Sequence, residues 1–468
     1  MRPLLLIDFG STYTKVTAVD PDQEAVIGTA SAFTTVATDI GEGLDKALLS
    51  LESRTGKLDF ESRLACSSAA GGLAMMVSGL VPELTAEAAR MAALGAGARI
   101  SRVFSHELSD RDLVLIMEDL PDIFLLTGGT DGGNREVITG NAEKLASLPV
   151  RFPLIYAGNR SALDDCEKIL SDFPLIVCPN VMPRLGQLLI EPVQKEIRKL
   201  FLSRIVHGRG LSSIRELLSG ILMPTPSAIL AAMTLLSQGT KTEEGWGDLL
   251  AIDVGGATTD VYSIGRGEPD DVNIIYKGFP EPLAKRTVEG DIGVRYSFSG
   301  IVDELGLEGL AQRTGLAEGE IQKLLADLMS DRSLVPGTPD DQLCLLDHAL
   351  ASGAVDLASR RHAGCLEEVY TPMGPAFVQT GKNLRSVGRI ILTGGSLIHS
   401  AAPLDIARAA LYSPAHPMSL RPLEAEAFRD DRYILSAMGV LAEKEPDLAL
   451  RIMKKELVSL GHCRQNPN

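Results

Sequence analysis

Two stretches of this chain follow one pattern: Leu4-Leu-Leu-Ile-Asp8-Phe-Gly10-Ser-Thr12 and Leu249-Leu-Ala-Ile-Asp253-Val-Gly255-Gly-Ala-Thr258. Each is a short apolar run that ends in aspartate and is followed by a glycine turn with hydroxyl side chains. The residues after the turns, 13–20 and 259–264, alternate with the period of two that is typical of a strand. The pattern therefore predicts two β-hairpins, one in each half of the chain.

Glycine-rich hairpin tips favour phosphate binding, because backbone N–H groups that no side chain covers can surround phosphate oxygens. An aspartate at the end of the strand is suited to holding a metal ion through water or to orienting an attacking water molecule. Two copies favour two hairpins that bind one nucleotide. We therefore predict Asp8 and Asp253 as catalytic residues that also hold Mg²⁺ through water.

Two further glycine-rich turns carry predictions. A buried strand, Arg389 to Thr393, ends in a glycine pair, Gly394 and Gly395, which suits the close approach of a sugar or a flat ring. The turn Gly128 to Gly133 contains Asp131, which we interpret as a third catalytic candidate near the γ-phosphate or near a partner. A surface turn without function is the alternative for Asp131.

Composition limits the class of protein. The chain has 468 residues, 45% of them hydrophobic, and a net charge of −16 from 45 basic and 61 acidic side chains. This balance argues against nucleic acid as a partner. The six cysteines form no C-x-x-C or zinc pattern, and no apolar run approaches the roughly 20 residues of a membrane span. We expect a cytoplasmic protein with no membrane partner.

Alternating apolar strands and helices predict an α/β fold of two domains. The first is placed at 1–238 with an α/β insertion around 113–200, and the second at 239–468 with a helical insertion around 297–380 and a C-terminal helix that returns to the hinge. Thr85 is predicted to be the N-cap of a helix over 85–98. The segment 285–297 is predicted to be a charged loop at the cleft.

The order of these motifs resembles the actin, sugar-kinase and heat-shock-chaperone ATPase superfamily. That resemblance implies two ribonuclease-H-like domains with a central nucleotide cleft for ATP or ADP and Mg²⁺. It also implies that residues 225–232 and 436–441 are the connecting helices at the hinge. The nucleotide-binding residues implied by it, together with the turns above, are Gly10, Ser11, Thr12, Gly255, Gly256, Thr258, Thr259, Gly290, Asp291, Gly394, Gly395 and Ser396.

A closer similarity runs nearly end to end. The chain is similar to the glutamate mutase accessory proteins, the GlmL or MutL family, which shares only a label with the mismatch-repair protein. The motifs that carry this similarity lie at 65–72, 94–98, 127–134, 180–183, 223–226, 255–261, 285–295 and 433–441. The similarity implies an ATP-driven chaperone or reactivating factor whose partners are the subunits of an adenosylcobalamin-dependent mutase.

One departure from the chaperone ATPases affects the expected activity. Where those proteins place a glutamate before the first connecting helix, this chain has Met223-Pro-Thr-Pro226 without an acid. The water-activating residue is therefore unassigned, and we expect slow, regulatory hydrolysis of ATP. The alternatives are a small-molecule kinase that uses the same cleft, a nucleotide-gated scaffold without turnover, and a radical-dehydratase activator, which the lack of paired cysteines disfavours.

Overall fold

The computed structural model describes residues 2–10, 12–34, 40–68, 73–207, 222–337, 341–372 and 374–464. The chain forms two units, one of residues 1–229 and 439–444 and the other of residues 230–438 and 445–468. The division falls inside a helix, at residues 229 and 230, whereas the sequence places the domain boundary at 238 and 239. The predicted domain limits and insertions stay a prediction.

The first unit begins with a five-stranded sheet. Its strands are β1 (Leu4–Phe9), β2 (Tyr13–Asp20), β3 (Ala25–Phe33), β4 (Ser62–Ser67) and β10 (Leu222–Pro224), in the order β10-β4-β1-β2-β3. Strands β1, β2 and β3 are antiparallel, while β4 and β10 run parallel to β1. Helix α1 (Ile40–Thr55) packs against β2 and β3. The predicted first hairpin is therefore confirmed.

A second sheet is inserted between β4 and β10. Its strands are β5 (Ala74–Gly79), β6 (Arg99–Ser105), β7 (Ile123–Leu126), β8 (Leu154–Tyr156) and β9 (Leu175–Val177), all parallel and in the order β6-β5-β7-β8-β9. The helices are α2 (Glu87–Gly95), α3 (Asp110–Asp119), α4 (Glu136–Ala146), α5 (Leu163–Ile169) and α6 (Glu191–His207). One apolar core joins both sheets, because Leu5 and Ile7 of β1 share it with Met75 and Val77 of β5.

The predicted N-cap at Thr85 is wrong. A π-helical turn, Pro82–Ala86, precedes α2, so Thr85 lies inside helical structure rather than before it. Its hydroxyl accepts hydrogen bonds from the N–H groups of Leu80 and Val81, at 2.7 and 3.1 Å. Proline at the first helical position starts the turn earlier than the sequence pattern indicated.

The second unit repeats the first arrangement of strands. Helix α7 (Thr225–Gln238) leads into β11 (Leu249–Val254), β12 (Thr259–Ile264), β13 (Ile274–Lys277), β14 (Ala284–Glu289), β15 (Cys365–Thr371), β16 (Gly374–Thr380), β17 (Arg389–Thr393), β18 (Glu424–Arg429) and β19 (Val458–Arg464). The main sheet has the order β14-β12-β11-β17-β18-β19, and β13, β16 and β15 form a smaller sheet. The helices are α8 (Phe298–Thr314), α9 (Glu318–Ser330), α10 (Gln342–His362), α11 (Gly395–Ile398), α12 (Pro403–Arg408), α13 (Leu435–Ala442) and α14 (Pro446–Glu456).

Each unit therefore has three antiparallel strands followed by two parallel ones. In the second unit β12 and β14 are antiparallel to their neighbours, and β17 and β18 run parallel to β11. This is the ribonuclease-H-like order that the sequence analysis predicted for both halves, and the α/β fold class is confirmed. The segment 284–289 is strand β14 and not the predicted loop, because it pairs with β12 over its whole length.

Candidate functional site

The first hairpin is closed by a glycine turn. Asp8 is opposite Lys15 in the register of β1 and β2, and the N–H of Gly10 donates to the carbonyl of Tyr13 at 3.0 Å. A Cβ atom at Gly10 would lie 2.5 Å from that same carbonyl oxygen, so the turn requires glycine. Thr12 is exposed, and its carbonyl accepts from the N–H of Thr34. Ser11, also predicted here, lies outside the described residues.

The second hairpin has the same turn. The N–H of Gly255 donates to the carbonyl of Thr258 at 2.9 Å, and Asp253 is opposite Asp260 in the register of β11 and β12. The two registers equate Asp8 with Asp253 and Gly10 with Gly255. They also equate Tyr13, and not Thr12, with Thr258. The two threonines predicted to bind phosphate therefore occupy different positions of their turns.

Asp8 lies at the centre of the first sheet and is 5% exposed. The hydroxyl of Thr225, the first residue of α7, donates to its Oδ1 atom at 2.6 Å. Cys66 is next to Asp8 in the register of β1 and β4. Burial, followed by the charge of Asp8, raises the pKa of the Cys66 thiol well above its usual range, so the thiol is neutral.

Asp253 has a second acid as its neighbour. Asp260 is held by Arg286 of β14, whose Nε and Nη2 atoms lie 2.8 and 2.7 Å from its Oδ1. Arg286 is 7% exposed and neutralises Asp260, which is needed because two carboxylates directly opposite in a sheet repel each other. The first hairpin has the cation Lys15 at the position of Asp260, so the two hairpins differ in charge.

The loop 290–296 packs on the second hairpin. The carbonyl of Gly256 accepts from the N–H groups of Arg295 and Tyr296, at 2.9 and 2.7 Å. The fully buried hydroxyl of Thr259 donates to the carbonyl of Ile292, so this side chain ties the loop to the strand. A Cβ atom at Gly293 would lie 2.6 Å from the Gly256 oxygen, so the approach requires glycine.

The predicted residues of this loop, Gly290 and Asp291, follow β14 directly. The carboxylate of Asp291 accepts from Arg361 Nη1 at 2.9 Å, and the same nitrogen bonds Glu289 at 2.9 Å. The structure therefore gives Asp291 a partner within the second unit. The neighbouring Arg295 makes two hydrogen bonds to Asp347, at 2.8 and 2.6 Å, which fix the loop on α10.

The turn after β17 lies against Asp253. Gly394 has a φ of +102°, and a Cβ atom there would lie 2.3 Å from the carbonyl oxygen of Val254 and 2.9 Å from Asp253 Oδ1. Gly395 is exposed, and the hydroxyl of Ser396 is a buried atom without a hydrogen-bond partner among the described residues. The second unit thus brings together Asp253, its hairpin and the Gly394–Ser396 turn.

Asp131 lies at the carboxyl edge of the inserted sheet. Its Oδ1 atom accepts from the N–H of Arg160 at 3.0 Å and from the side-chain amide of Asn180 at 2.9 Å. The fully buried amide of Asn159 donates to the carbonyls of Gly133 and Asn134, at 3.1 and 2.9 Å. These hydrogen bonds hold the glycine-rich turn in place, and the Asp131 carboxylate therefore has a structural role.

One observation fits a bound nucleotide: the buried hydroxyl of Ser396, next to the exposed Gly395, has no hydrogen-bond partner among the described residues. The Cβ space at Gly394 is occupied by Val254, so this glycine serves the packing of the turn itself. Among the described ranges no group of three or more His, Cys, Asp or Glu is spaced to hold a metal. Magnesium keeps several of its waters and needs only one or two protein carboxylates, so Asp8 in the first unit and Asp253 in the second unit are each a candidate ligand.

Sequence reasoning missed Thr225 and Arg286. Thr225 was predicted only as the start of a connecting helix, in a motif that lacks an acid, and the signal for its role was a hydroxyl between two prolines. Arg286 was assigned to a loop, whereas its strand partner shows it to be the counter-ion of Asp260. Neither contact is readable from spacing, because the partners are 217 and 26 residues apart.

Two ribonuclease-H-like units with matching Asp-x-Gly hairpins define an α/β protein of the actin-like ATPase class. The chain belongs to the MutL protein family, whose model matches residues 4–457. This is the family that the sequence motifs indicated, and that prediction is confirmed. Protein MutL of Clostridium tetanomorphum is 45% identical over 464 residues, which cover 98% of this chain and 100% of the relative.

Solved structures show distant likenesses. The activator of 2-hydroxyisocaproyl-CoA dehydratase from Clostridium difficile, with bound ADPNP, has a TM-score of 0.33 and 10% identity, with 97% of each chain covered. Xylulose kinase from Bifidobacterium adolescentis has a TM-score of 0.35 and 12% identity, with 100% of this chain and 97% of the kinase covered. At these TM-scores neither likeness bears on the site. Of the described residues, no helix has the length and apolar content needed to cross a membrane.

Proposed function

We propose that this chain is an ATP-binding accessory factor that reactivates an adenosylcobalamin-dependent mutase of the glutamate or methylaspartate type. Membership of the MutL family supports an accessory role of the ATPase type. The mutase partner comes from the resemblance to the glutamate mutase accessory proteins. The observation that carries nucleotide binding is the repeated turn, in which Gly10 and Gly255 make the same hydrogen bond after an aspartate.

The proposed site residues act through position and charge. Asp8 and Asp253 would hold hydrated Mg²⁺, which supplies positive charge that stabilises the phosphates during transfer. The N–H groups of Gly10 and Gly255 close the turns, so other backbone N–H groups of the two turns would bind phosphate oxygens, and Gly394 to Ser396 would admit the adenosine. The segment Met223 to Pro226, where β10 ends and α7 begins, contains no acid, and this supports slow turnover.

The alternative of a small-molecule kinase needs a base for the acceptor hydroxyl. Asp131 was the candidate, but its Oδ1 atom already accepts two hydrogen bonds that pin its own loop. This geometry favours a structural role for Asp131 and weakens the kinase proposal. The other alternative is a scaffold that binds nucleotide without hydrolysing it. Measurement of ATP hydrolysis and of mutase recovery distinguishes such a scaffold from a reactivating ATPase.

The test is ATP hydrolysis by the purified chain, alone and with an inactivated cobalamin mutase plus fresh cofactor. We expect slow basal hydrolysis that the mutase stimulates, together with recovered mutase activity. The Asp8→Asn variant should lose Mg²⁺-dependent ATP binding and hydrolysis, because its amide cannot attract hydrated Mg²⁺ as a carboxylate does. The control is Asp45→Asn, which removes one exposed carboxylate of α1 in the same unit.

Two results would contradict the proposal. An Asp8→Asn variant with the wild-type affinity and hydrolysis rate would remove the first hairpin from the site. ATP binding with neither stimulation nor mutase recovery would instead favour the scaffold, or a kinase to be identified by a screen of metabolite acceptors.

A further inference from the structure

The carboxylate of Asp8 is buried within the first sheet. Strand β1 is flanked by β2 and β4, so the neighbours of Asp8 in the sheet are Lys15 and Cys66. With 5% exposure the carboxylate has little contact with water. Because a buried charge requires hydrogen bonds or charged partners, the groups around Asp8 decide the orientation of its carboxylate.

Strand β10 brings Thr225 to this carboxylate. Pro224 pairs with Ser67 at the end of β4, and Thr225 follows as the first residue of α7. Its Oγ1 atom lies 2.6 Å from Asp8 Oδ1.

The proton of the Thr225 hydroxyl goes to Asp8. The same oxygen lies 3.8 Å from Cys66 Sγ, but a hydroxyl has one proton and the carboxylate is both nearer and charged. Thr225 is therefore the hydroxyl donor that fixes one oxygen of Asp8.

We propose that Thr225 is a positioning residue for Asp8 in Mg²⁺-dependent nucleotide binding. The proposal rests on the proposed function and adds to it a residue that sequence reasoning left unassigned. With Oδ1 held by Thr225, the carboxylate has one orientation to offer to hydrated Mg²⁺. Without the hydroxyl, the same buried carboxylate loses a charged hydrogen bond and turns toward whichever donor is nearest.

The experiment measures ADP binding by the full chain with isothermal titration calorimetry, at increasing MgCl₂ and in excess EDTA. Thr225→Val keeps the branched shape and removes the hydroxyl, whereas Thr225→Ser keeps the hydroxyl. The control is Thr234→Val in the same helix, whose hydroxyl donates to the carbonyl of Leu230 within that helix. Thr225→Ala repeats the loss without a methyl group at the position of the hydroxyl.

We expect Thr225→Val and Thr225→Ala to weaken ADP binding in saturating MgCl₂ by about ten- to a hundredfold, the range for the loss of one hydrogen bond to a charged group. Binding in EDTA should be unchanged, and Thr225→Ser and Thr234→Val should behave as wild type. A merely structural role would weaken binding equally with and without Mg²⁺.

The outcomes separate this inference from the proposed function. If wild type binds ADP with a Mg²⁺ dependence that Thr225→Val and Thr225→Ala retain, the positioning role is overturned and the nucleotide site stands. If Thr225→Ser is as weak as Thr225→Val, the hydroxyl is not the determinant and the inference is again overturned. If wild type binds neither ADP nor ATP, both proposals are overturned together.

Discussion

Lys382 shows how strongly burial acts on a single residue of this chain. Its side chain is fully buried, and its Nζ atom donates to the carbonyls of Ser263, Pro282 and Leu283, at 3.2, 2.9 and 2.8 Å. Burial lowers the pKa of Lys382 from 10.5 to about 7, while the charge of Glu281 opposes the shift. The loss of hydration therefore outweighs the groups that favour the ammonium form.

This shift predicts a pH dependence of stability. Between pH 7 and about 10 the folded state carries Lys382 neutral and the unfolded state carries it protonated, so unfolding takes up a proton. The contribution of Lys382 to the unfolding free energy therefore rises with pH, by up to about 1.4 kcal/mol per pH unit. The measurement is urea unfolding of wild type and Lys382→Met across this range.

We expect the stability of wild type minus that of Lys382→Met to grow toward alkaline pH. The size of this stability difference at any one pH is less informative than its slope, because the variant leaves three buried carbonyls without their donor. A difference that is flat or that shrinks with rising pH would show that the three carbonyls keep the ammonium form in the folded protein.

The residues of the candidate site were predictable to different degrees. The aspartates and glycines of the two hairpins could be read from sequence, because strand, acid and turn follow one another within a few residues. Thr225 and Arg286 could not, because each meets its acid only when separate strands pair. Asp131 was identified as a polar residue of a turn, but its bonds to Arg160 and Asn180 appear only when β8 and β9 line up beside β7.

At the scale of elements, α13 approaches α7 closely enough to exclude a side chain. A Cβ atom at Gly439 of α13 would lie 1.8 Å from the carbonyl oxygen of Ala228 in α7. Residues 225–232 and 436–441 are the segments that the sequence resemblance assigned to the two connecting helices. The glycine in the middle of α13 therefore sets the distance between these two helices.

Gly439→Ala tests this contact. Alanine favours the helix, but its methyl group would force the two helices apart, and overpacking of this kind costs about 1–3 kcal/mol. We expect a loss of unfolding free energy in this range by chemical denaturation. The matched control is Gly140→Ala in α4, where a Cβ atom meets nothing within 4 Å and the change should be neutral or stabilising. Equal effects at both positions would contradict the close approach.

The elements that the sequence predicted well are those with local signals. Strand β17 was predicted with its observed bounds, and the two hairpins have the predicted strands. Strand β14 was missed because Lys285 and Arg286 look like loop residues. Their charges are tolerated in a strand since Glu281 pairs with Lys285 and Asp260 with Arg286, which are contacts that a sequence pattern does not report.

At the scale of the whole molecule, a ligand that binds only the folded chain must stabilise it. At a nucleotide concentration about a hundred times the Kd, the gain is about 2.7 kcal/mol, which corresponds to a rise in Tm of several degrees. We expect this rise with ATP and MgCl₂ by differential scanning calorimetry, and a much smaller rise for Asp8→Asn. A Tm of wild type that does not respond to ATP and MgCl₂ would contradict nucleotide binding by the folded chain.

The apolar core shared by the two sheets of the first unit determines what would happen if the inserted sheet were removed. The chain leaves the first sheet after β4 and returns at β10, which lies parallel beside it, so the returning segment must cross from one end of the sheet to the other. The inserted sheet and α6 supply that crossing, and β1 and β5 bury their apolar side chains in one core. The insertion is therefore not a detachable module. A chain without the inserted sheet and α6 would need both a new crossover connection between β4 and β10 and a new apolar surface for β1.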